Sequence, residues 1–291
     1  MDWAAGIQRA LDYTEAHLME EIDCAAVASR ACSSAFHFQR IFSVVCGVSL
    51  GEYIRLRRLT LAAEDLIRTR EKVIDIALKY GYDTPESFSR AFARFHGISP
   101  TEARRGETVK SFSRLSVRLM VSGGSTMEYR IERREAFQVI CRRKRIAGPQ
   151  GESAEPDIAA LWRRCGEDGT IEALCRYGRF DRLGGILGIS FSEEMVPAGF
   201  PYGIGAEYGG LPVEDERLEL VDIPAHTYAV FPCRGKMPEV FQSTYRRICT
   251  EFFPQSNYAY GNGVELEVYP SAEVQNPAYA CEIWVAVTEK A

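Results

Sequence analysis

Six residues of this chain recur at a constant offset of 50: Ser34, Phe38, Arg40, Phe42, Gly47 and Ser49 match Thr84, Phe88, Arg90, Phe92, Gly97 and Ser99. A spacing held through six positions of mixed chemistry marks an internal duplication, which restricts this region to folds built from two copies of one unit. In the first copy Phe38, Ile41, Phe42 and Val45 stand at i, i+3, i+4 and i+7, the apolar stripe of a helix. Ala25 to Ala31 reads as a shorter helix before it, and Cys32 to Ser34 as a three-residue turn with Ser33 or Ser34 as the cap. The second copy supplies Ile74 to Tyr80, a turn opened by Gly81, and the stripe Phe88, Ala91, Phe92 and Phe95. Two helix-turn-helix units are expected. Between them Ser49 precedes the helical run of Leu56, Leu59 and Ala63 to Leu66, as an N-cap would.

The residues left facing outward are Phe36, Gln39, Arg40 and Ser43 in the first copy, and Glu86, Ser89 and Arg90 in the second, with Thr84 just before its helix. Arginine can donate two hydrogen bonds to guanine, glutamine pairs with adenine, an aromatic packs on a thymine methyl, and hydroxyls suit phosphates. A lone arginine is more often a solvated surface residue, but its recurrence at the matched position favours contact with double-stranded DNA. Glu86 fits a cytosine amine as readily as it repels phosphate. The longer second turn and its acidic Glu86 predict that the two units read different half-sites.

Charge supports this placement only when it is counted by region. Residues 1–110 carry 15 basic and 15 acidic side chains, 111–146 carry nine against three, and 147–291 carry 11 against 22. The acidic C-terminal half is a poor polyanion binder, so contact with DNA belongs upstream, where Arg40, Arg55, Arg57 and Arg58 form a local cluster.

From about Tyr129 the texture changes to short apolar and alternating runs. Val121 to Thr126, with Ser122, Gly123, Gly124 and Ser125, has a flexible linker's composition. The expected domains are 1–108, a linker 109–126, and 127–291. In the last, Tyr129 to Arg133 and Phe137 to Arg145 read as strands, Asp157 to Cys165 as a helix, and Gly185 to Phe191 and Tyr202 to Tyr208 as strands. The plan then recurs: strands Leu218 to Ile223 and Thr227 to Cys233, a helix Glu239 to Phe252, and strands Val264 to Tyr269 and Cys281 to Val287. The predicted fold is an all-α double helix-turn-helix domain followed by an α+β domain. Two β-α-β-β repeats of that second domain share one antiparallel sheet, with both helices on one side and a groove between the repeats.

Several classes are excluded. No run approaches the ~18 apolar residues of a membrane helix, and Met1 to Ala10 carries Asp2 rather than a signal-peptide pattern, which places the chain in the cytoplasm with no membrane partner. Nine scattered cysteines read as reduced small hydrophobes, and four distant histidines offer no ordinary zinc spacing, so neither metal nor cofactor is expected. Gly188-Ile189-Ser190-Phe191 lacks the second glycine of a nucleophile elbow, and Gly203-Ile204-Gly205 is a lone fragment; no catalytic residue is assigned. The basic run Arg142 to Arg145 reads as a solvated strand face.

The segments VASRACSSAFHFQRIFSVVCGVSLGEYIRLRRLTLAAEDL and IDIALKYGYDTPESFSRAFARFHGISPTEARR resemble the AraC/XylS family DNA-binding domain over roughly residues 8–106, with paired R-x-F and G-x-S motifs and a closing G-x-S-P. The resemblance implies a seven-helix, two-lobed reader that enters adjacent major grooves about one helical turn apart. Cys32 departs from it, standing where family members often have glycine. Residues 127–291, with DIPAHTYAVFPCRG, VELEVYPSAE and CEIWVAV, resemble the gyrase-inhibitor-like (GyrI-like) effector-binding domain. That likeness implies that Glu267, in its E-x-Y with Tyr269, lies in an aromatic pocket for hydrophobic cations or other drug-like molecules. Trp162, Trp284, Tyr208, Phe191, Tyr202 and Tyr269 are the candidate walls, and Glu265, on the same strand face, competes as the pocket carboxylate. Together the two likenesses imply a transcription regulator that senses a small-molecule effector, with RNA polymerase as a further partner. The rival implication is a hydrolase of reactive small molecules serving self-resistance, in which Glu267 with Tyr208 or Tyr269 does general-base chemistry.

Overall fold

The computed structural model describes residues 3–31, 35–117, 126–147, 155–191 and 199–290, and the chain divides into two compact units, Met1–Met120 and Val121–Ala291. The first holds helices α1 (Trp3–Ala16), α2 (Cys24–Arg30), α3 (Ala35–Cys46), α4 (Leu50–Arg68), α5 (Val73–Lys79), α6 (Pro85–His96) and α7 (Pro100–Arg104). Local chemistry sets their ends. Asp23 caps α2 by accepting from the N–H groups of Ala25 and Ala26, and Thr84 caps α6 through Ser87. The duplicated G-x-S proves to be a helix stop followed by a helix start. Gly97 closes α6 at φ +85 and Ser99 caps α7 in a capping box with Glu102; between α3 and α4 stand Gly47, at φ +74, and Ser49, which accepts from the Glu52 N–H. A side chain at such a φ costs roughly 1–2 kcal/mol.

Helix α4 is the common spine. Its Leu59, Ala62, Ala63 and Leu66 pack with Ile76, Ala77, Tyr80, Phe88 and Phe92 of the second lobe. Its Leu50, Tyr53 and Leu56 are buried at the first lobe, where Phe42 meets Tyr53 at 5.9 Å and Phe38 at 5.7 Å. The Cys32 to Ser34 turn, the Cys32 departure and residues 118–125 of the expected linker lie outside the described residues. Residues 109–117, also read as linker, lie docked on the helices instead, held by side chains that accept their backbone N–H groups.

The second unit holds β1 (Arg130–Arg134), β2 (Phe137–Ala147), α8 (Glu155–Glu167), α9 (Thr170–Tyr177), β3 (Gly178–Arg179), β4 (Ile186–Ser190) and β5 (Gly199–Tyr208). There follow β6 (Glu219–Ile223), β7 (His226–Arg234), α10 (Glu239–Arg247) with a π-helical turn (Ile248–Phe252), β8 (Tyr258–Tyr260), β9 (Glu265–Tyr269) and β10 (Ala280–Glu289). The strands form one antiparallel sheet in the order β1-β7-β10-β9-β4-β5-β2-β6, with β3 against β5 and β8 against β10. The two repeats meet at β4 and β9, as a shared sheet requires. Their first strands are exchanged: β1 pairs with β7 of the second repeat, and β6 with β2 of the first.

This exchange forces the sheet to roll. Only residues 135 and 136 join β1 to β2, a reach of at most about 11 Å, whereas six strand spacings in a flat sheet would separate them by about 29 Å. Arg134 on β1 accordingly reaches Glu207 on β5 at 3.0 Å. The concave side is filled by Val139, Leu187, Ile189, Phe191, Tyr228, Val230, Leu266, Val268 and Trp284. The convex side carries α8 and α9, packed over Ile140, Tyr202, Ile204 and Ala206, and α10, packed on β7. Helix α9 escaped the sequence pattern because its N-cap is Gly169 at φ +79, and the first N–H, of Thr170, is taken up instead by Asp168, one residue earlier.

Among the described residues no helix is long and apolar enough to cross a membrane, and no group of three or more His, Cys, Asp or Glu could hold a metal ion. Three members of the run 142–145 are paired with carboxylates: Arg142 with Asp168, Arg143 with Glu219 at 2.7 Å, and Lys144 with Asp157 at 3.7 Å.

Candidate functional site

Among the described residues of the helical unit, α6 exposes the face expected to read DNA. On α6, with Phe88 and Phe92 buried, Glu86, Arg90, Ala93 and Arg94 are exposed, Thr84 is exposed at the cap, and Ser89 is half-buried at the edge. Arg94 was missed by sequence because its counterpart in the first copy is Val44, so the duplication carries no signal there; its i+4 spacing from Arg90 would have found it.

On α3, Ser43 is half-buried, and the side chains of Phe36 and Arg40 lie outside the described residues. Gln39 departs from expectation. It is 7% exposed, turned toward α2 and hydrogen-bonded to Cys24, because the position beside the apolar stripe is covered by the packed short helix. The cluster of Arg55, Arg57 and Arg58 is also not the free positive surface expected. Arg55 bonds Glu52 through two nitrogens at 2.6 and 2.8 Å. Arg57 grips Glu15 at 2.8 and 3.0 Å and the Phe112 carbonyl at 2.7 Å, and Arg58 donates to the carbonyls of Leu18 and Glu20. Burial alone would push the Glu15 carboxyl up, but Arg57 and Tyr53 hold it below the ordinary range.

In the second unit four of the seven predicted residues converge. Glu267 Oε2 accepts from the Tyr202 hydroxyl at 2.9 Å and from the Tyr269 hydroxyl at 2.8 Å. Trp162, reaching from α8, donates its indole N–H to the Tyr202 oxygen at 3.2 Å and meets the Tyr269 ring edge-on at 5.1 Å. Glu267 is 9% exposed, Tyr202 is fully buried, and Trp162 and Tyr269 are half-buried. Burial and the neighbouring Glu267 push the Tyr269 phenol well above its usual range.

Strand geometry selects this set. Gly188 on β4 pairs directly with Glu267, and a Cβ there would stand 2.3 Å from the Tyr202 oxygen and 2.6 Å from Glu267 Oε2. The missing side chain is therefore what makes room for the carboxylate and its phenol. In the sequence Gly188 stands out only as part of an incomplete nucleophile-elbow motif.

Three predicted walls lie elsewhere. Trp284 pairs with Leu266, one residue out of phase with Glu267, and so faces the concave core, where it packs against Tyr228 at 5.7 Å. Phe191 is out of phase with Gly188 in the same way and lies in that core beneath Arg143. Tyr208 shares the face of Tyr202 but stands six residues, about 20 Å, along β5, with its hydroxyl on the Leu211 carbonyl at 2.6 Å.

Glu265 does share the face of Glu267, but at 2% exposure it is sealed beneath α10, where the Tyr245 hydroxyl lies 3.3 and 3.5 Å from its oxygens. An open cavity of about 520 Å³ bordered by Tyr129, Tyr258, Glu289 and Lys290 shares no residue with the Glu267 cluster.

Residues 130–287 match the family model described as integron-associated effector binding protein, and residues 27–106 match that of a helix-turn-helix domain. The HTH-type transcriptional activator AarP of Providencia stuartii is 39% identical over 102 residues, which are 35% of this chain and 76% of AarP. The right origin-binding protein of Escherichia coli (strain K12) is 38% identical over 112 residues, 38% of this chain and 39% of that protein, so the match spans well under half of that relative. A solved integron cassette protein from the mobile metagenome of Vibrio cholerae superposes with a TM-score of 0.41 at 18% identity, covering 55% of this chain and 95% of its own.

Proposed function

We propose that this chain, which belongs to the AraC family through its helical unit and to the integron-associated effector binding proteins through residues 130–287, is a transcription regulator that binds double-stranded DNA and senses a hydrophobic cation. The observation that carries the sensing is the Glu267 carboxylate, oriented by two phenol donors and bordered by the rings of Trp162 and Tyr269. Such a site recognises a cation by charge and by ring quadrupole together, and both act more strongly where water is scarce. On the DNA side, the exposed α6 face with Arg90 and Arg94 enters one major groove and α3 the adjacent one. Effector occupancy then changes what the bound protein does to RNA polymerase.

The geometry favours binding over hydrolysis. Both phenols direct their protons to Glu267, and the elevated Tyr269 phenol stays a donor at neutral pH rather than a general base. The test is calorimetric titration of the full chain and of Glu267→Gln with tetraphenylphosphonium as the probe. At least a tenfold weaker affinity is expected in the variant, with unchanged affinity for a duplex selected by the wild-type chain in the absence of probe. Equal probe affinity would remove Glu267 from the site. Turnover of a strained alkylating compound that disappears in Glu267→Gln would replace sensing with hydrolysis.

A further inference from the structure

Residues 107–117 follow the last helix of the DNA-binding unit and have no regular secondary structure, yet side chains of three helices take up their backbone groups in sequence. His96 on α6 donates from Nε2 to the Leu59 carbonyl at 3.2 Å, which leaves Nδ1 as the acceptor for the Lys110 N–H at 3.1 Å. Thr60 on α4 accepts the Phe112 N–H at 2.9 Å, and Arg57 donates to the Phe112 carbonyl at 2.7 Å. Tyr53 accepts the Leu115 N–H at 3.3 Å while donating to Glu15 at 2.6 Å. Gln8 on α1 accepts the Val117 N–H at 2.8 Å, and Arg114 pairs with Asp12 at 2.6 Å. Two apolar anchors accompany these bonds: Val109 packs against the second-lobe core, and Phe112 meets Tyr53 edge-on at 6.1 Å.

The order of these partners defines a path. As the strap advances from 110 to 117, its α4 partners run backward from Thr60 through Arg57 to Tyr53, and its α1 partners run from Asp12 to Gln8. The strap therefore starts on α6 of the second lobe and ends on α1 of the first, lying antiparallel to both α1 and α4. Four N–H groups satisfied by side chains rather than by water hold it in one register, because each would lose a bond if the strap slipped by a residue.

From this geometry we infer that residues 107–117 are part of the DNA reader: a brace that ties the two helix-turn-helix lobes together and fixes the separation of α3 and α6. The inference rests on the DNA-binding reading above. Two lobes joined by α4 alone could flex about that helix, and a flexing reader loses discrimination between half-site spacings. With the brace docked, only one spacing fits both helices. Thr60 and Gln8 are the positioning residues, since each touches the strap and acts on DNA through it.

The experiment uses the full chain. A duplex is selected from a random pool by the wild-type protein, and derivatives are made with the two half-sites moved closer or farther by one base pair. Binding is measured for wild type, for Thr60→Val, which keeps volume but removes the acceptor, and for the control Glu172→Gln, exposed on α9 of the second unit. Gln8→Met, at a half-buried position, substitutes if Thr60→Val fails to fold, and hydrogen exchange at Lys110 to Val117 reports undocking directly.

The brace predicts about a tenfold loss at the selected spacing, the order expected for one bond to a buried group, and a smaller penalty than wild type at the altered spacings. Unchanged affinity with exchange showing an undocked strap would overturn it. So would an equal loss at every spacing, which marks a merely structural role. If the wild-type chain selects no sequence at all, the DNA-binding reading falls, and the brace falls with it.

Discussion

Placing a single methyl group at Gly188 tests the proposed effector site at its tightest point. In Gly188→Ala the new Cβ would stand 2.3 Å from the Tyr202 oxygen, 2.6 Å from Glu267 Oε2 and 3.2 Å from Glu267 Cδ, whereas carbon and oxygen ordinarily approach no closer than about 3.3 Å. Roughly 1 Å of movement is therefore needed. The Tyr202 hydroxyl, whose oxygen stands nearest the new methyl, has to tilt away by that amount, and the Glu267 carboxylate has to swing by rather less. Its bond to Tyr202 at 2.9 Å breaks, while the bond to Tyr269, two residues along the same strand, can follow the movement.

A hydrogen bond to a charged group is worth about 1.5–3 kcal/mol, so probe affinity should fall by about tenfold to a hundredfold. The backbone gains in the opposite sense, since alanine is favoured over glycine in a strand by roughly 0.5–1 kcal/mol, and the melting temperature should move little. Calorimetry with tetraphenylphosphonium and a thermal melt separate the two effects. The double variant with Glu267→Gln should bind no more weakly than Glu267→Gln alone, because both changes act on one carboxylate. Wild-type affinity in Gly188→Ala would refute the claim that the position of this carboxylate governs recognition.

Further outcomes follow from the same geometry. Trp162→Ala should weaken probe binding with a modest change in melting temperature, whereas Trp284→Ala should cost about 3–5 kcal/mol of stability; the reverse pattern would invert the face assignment. Arg90→Ala and Arg94→Ala should each lose about 1–3 kcal/mol of specific DNA affinity, and a salt titration tells base contact from phosphate contact for each. The Glu15 carboxyl is held below its ordinary range in the folded state, so its stabilisation is fully present above that range and drains away as pH falls through the lower folded value. Glu15→Gln should flatten acid unfolding in that window while lowering stability at neutral pH, as judged by denaturant melts at several pH values.

Much of the fold was legible because its signals are local. The stripe of Phe88 and Phe92, the caps at Ser49 and Thr84, and the alternating strands of the second half each lie within a dozen residues, and each forms where the pattern puts it. The side chains whose direction was misjudged share one cause, dependence on partners distant in the chain. Arginine chemistry at 57 and 58 was visible, but Glu15 and the Leu18 carbonyl, about 40 residues away, decide that those side chains turn inward. Alternation put Trp284 and Glu267 on definite faces of their own strands. Only the register between β9 and β10 shows that the two faces are opposite. Gly188 carried no chemical signal whatever, because its contribution is the absence of a side chain.

The exchange of β1 and β6 means that neither repeat of the second unit is a folding unit. Each gives its first strand to the rim of the other, so a half-chain would leave one strand of its own unpaired and one foreign strand missing. Contacts such as Arg134 with Glu207 close loops of more than 70 residues, and loop closure of that length must come before those contacts stabilise anything. The unit should therefore gain its stability late and all at once, with the two halves arriving together. Its duplicated ancestry then persists in the pattern of strands but not in the way they assemble.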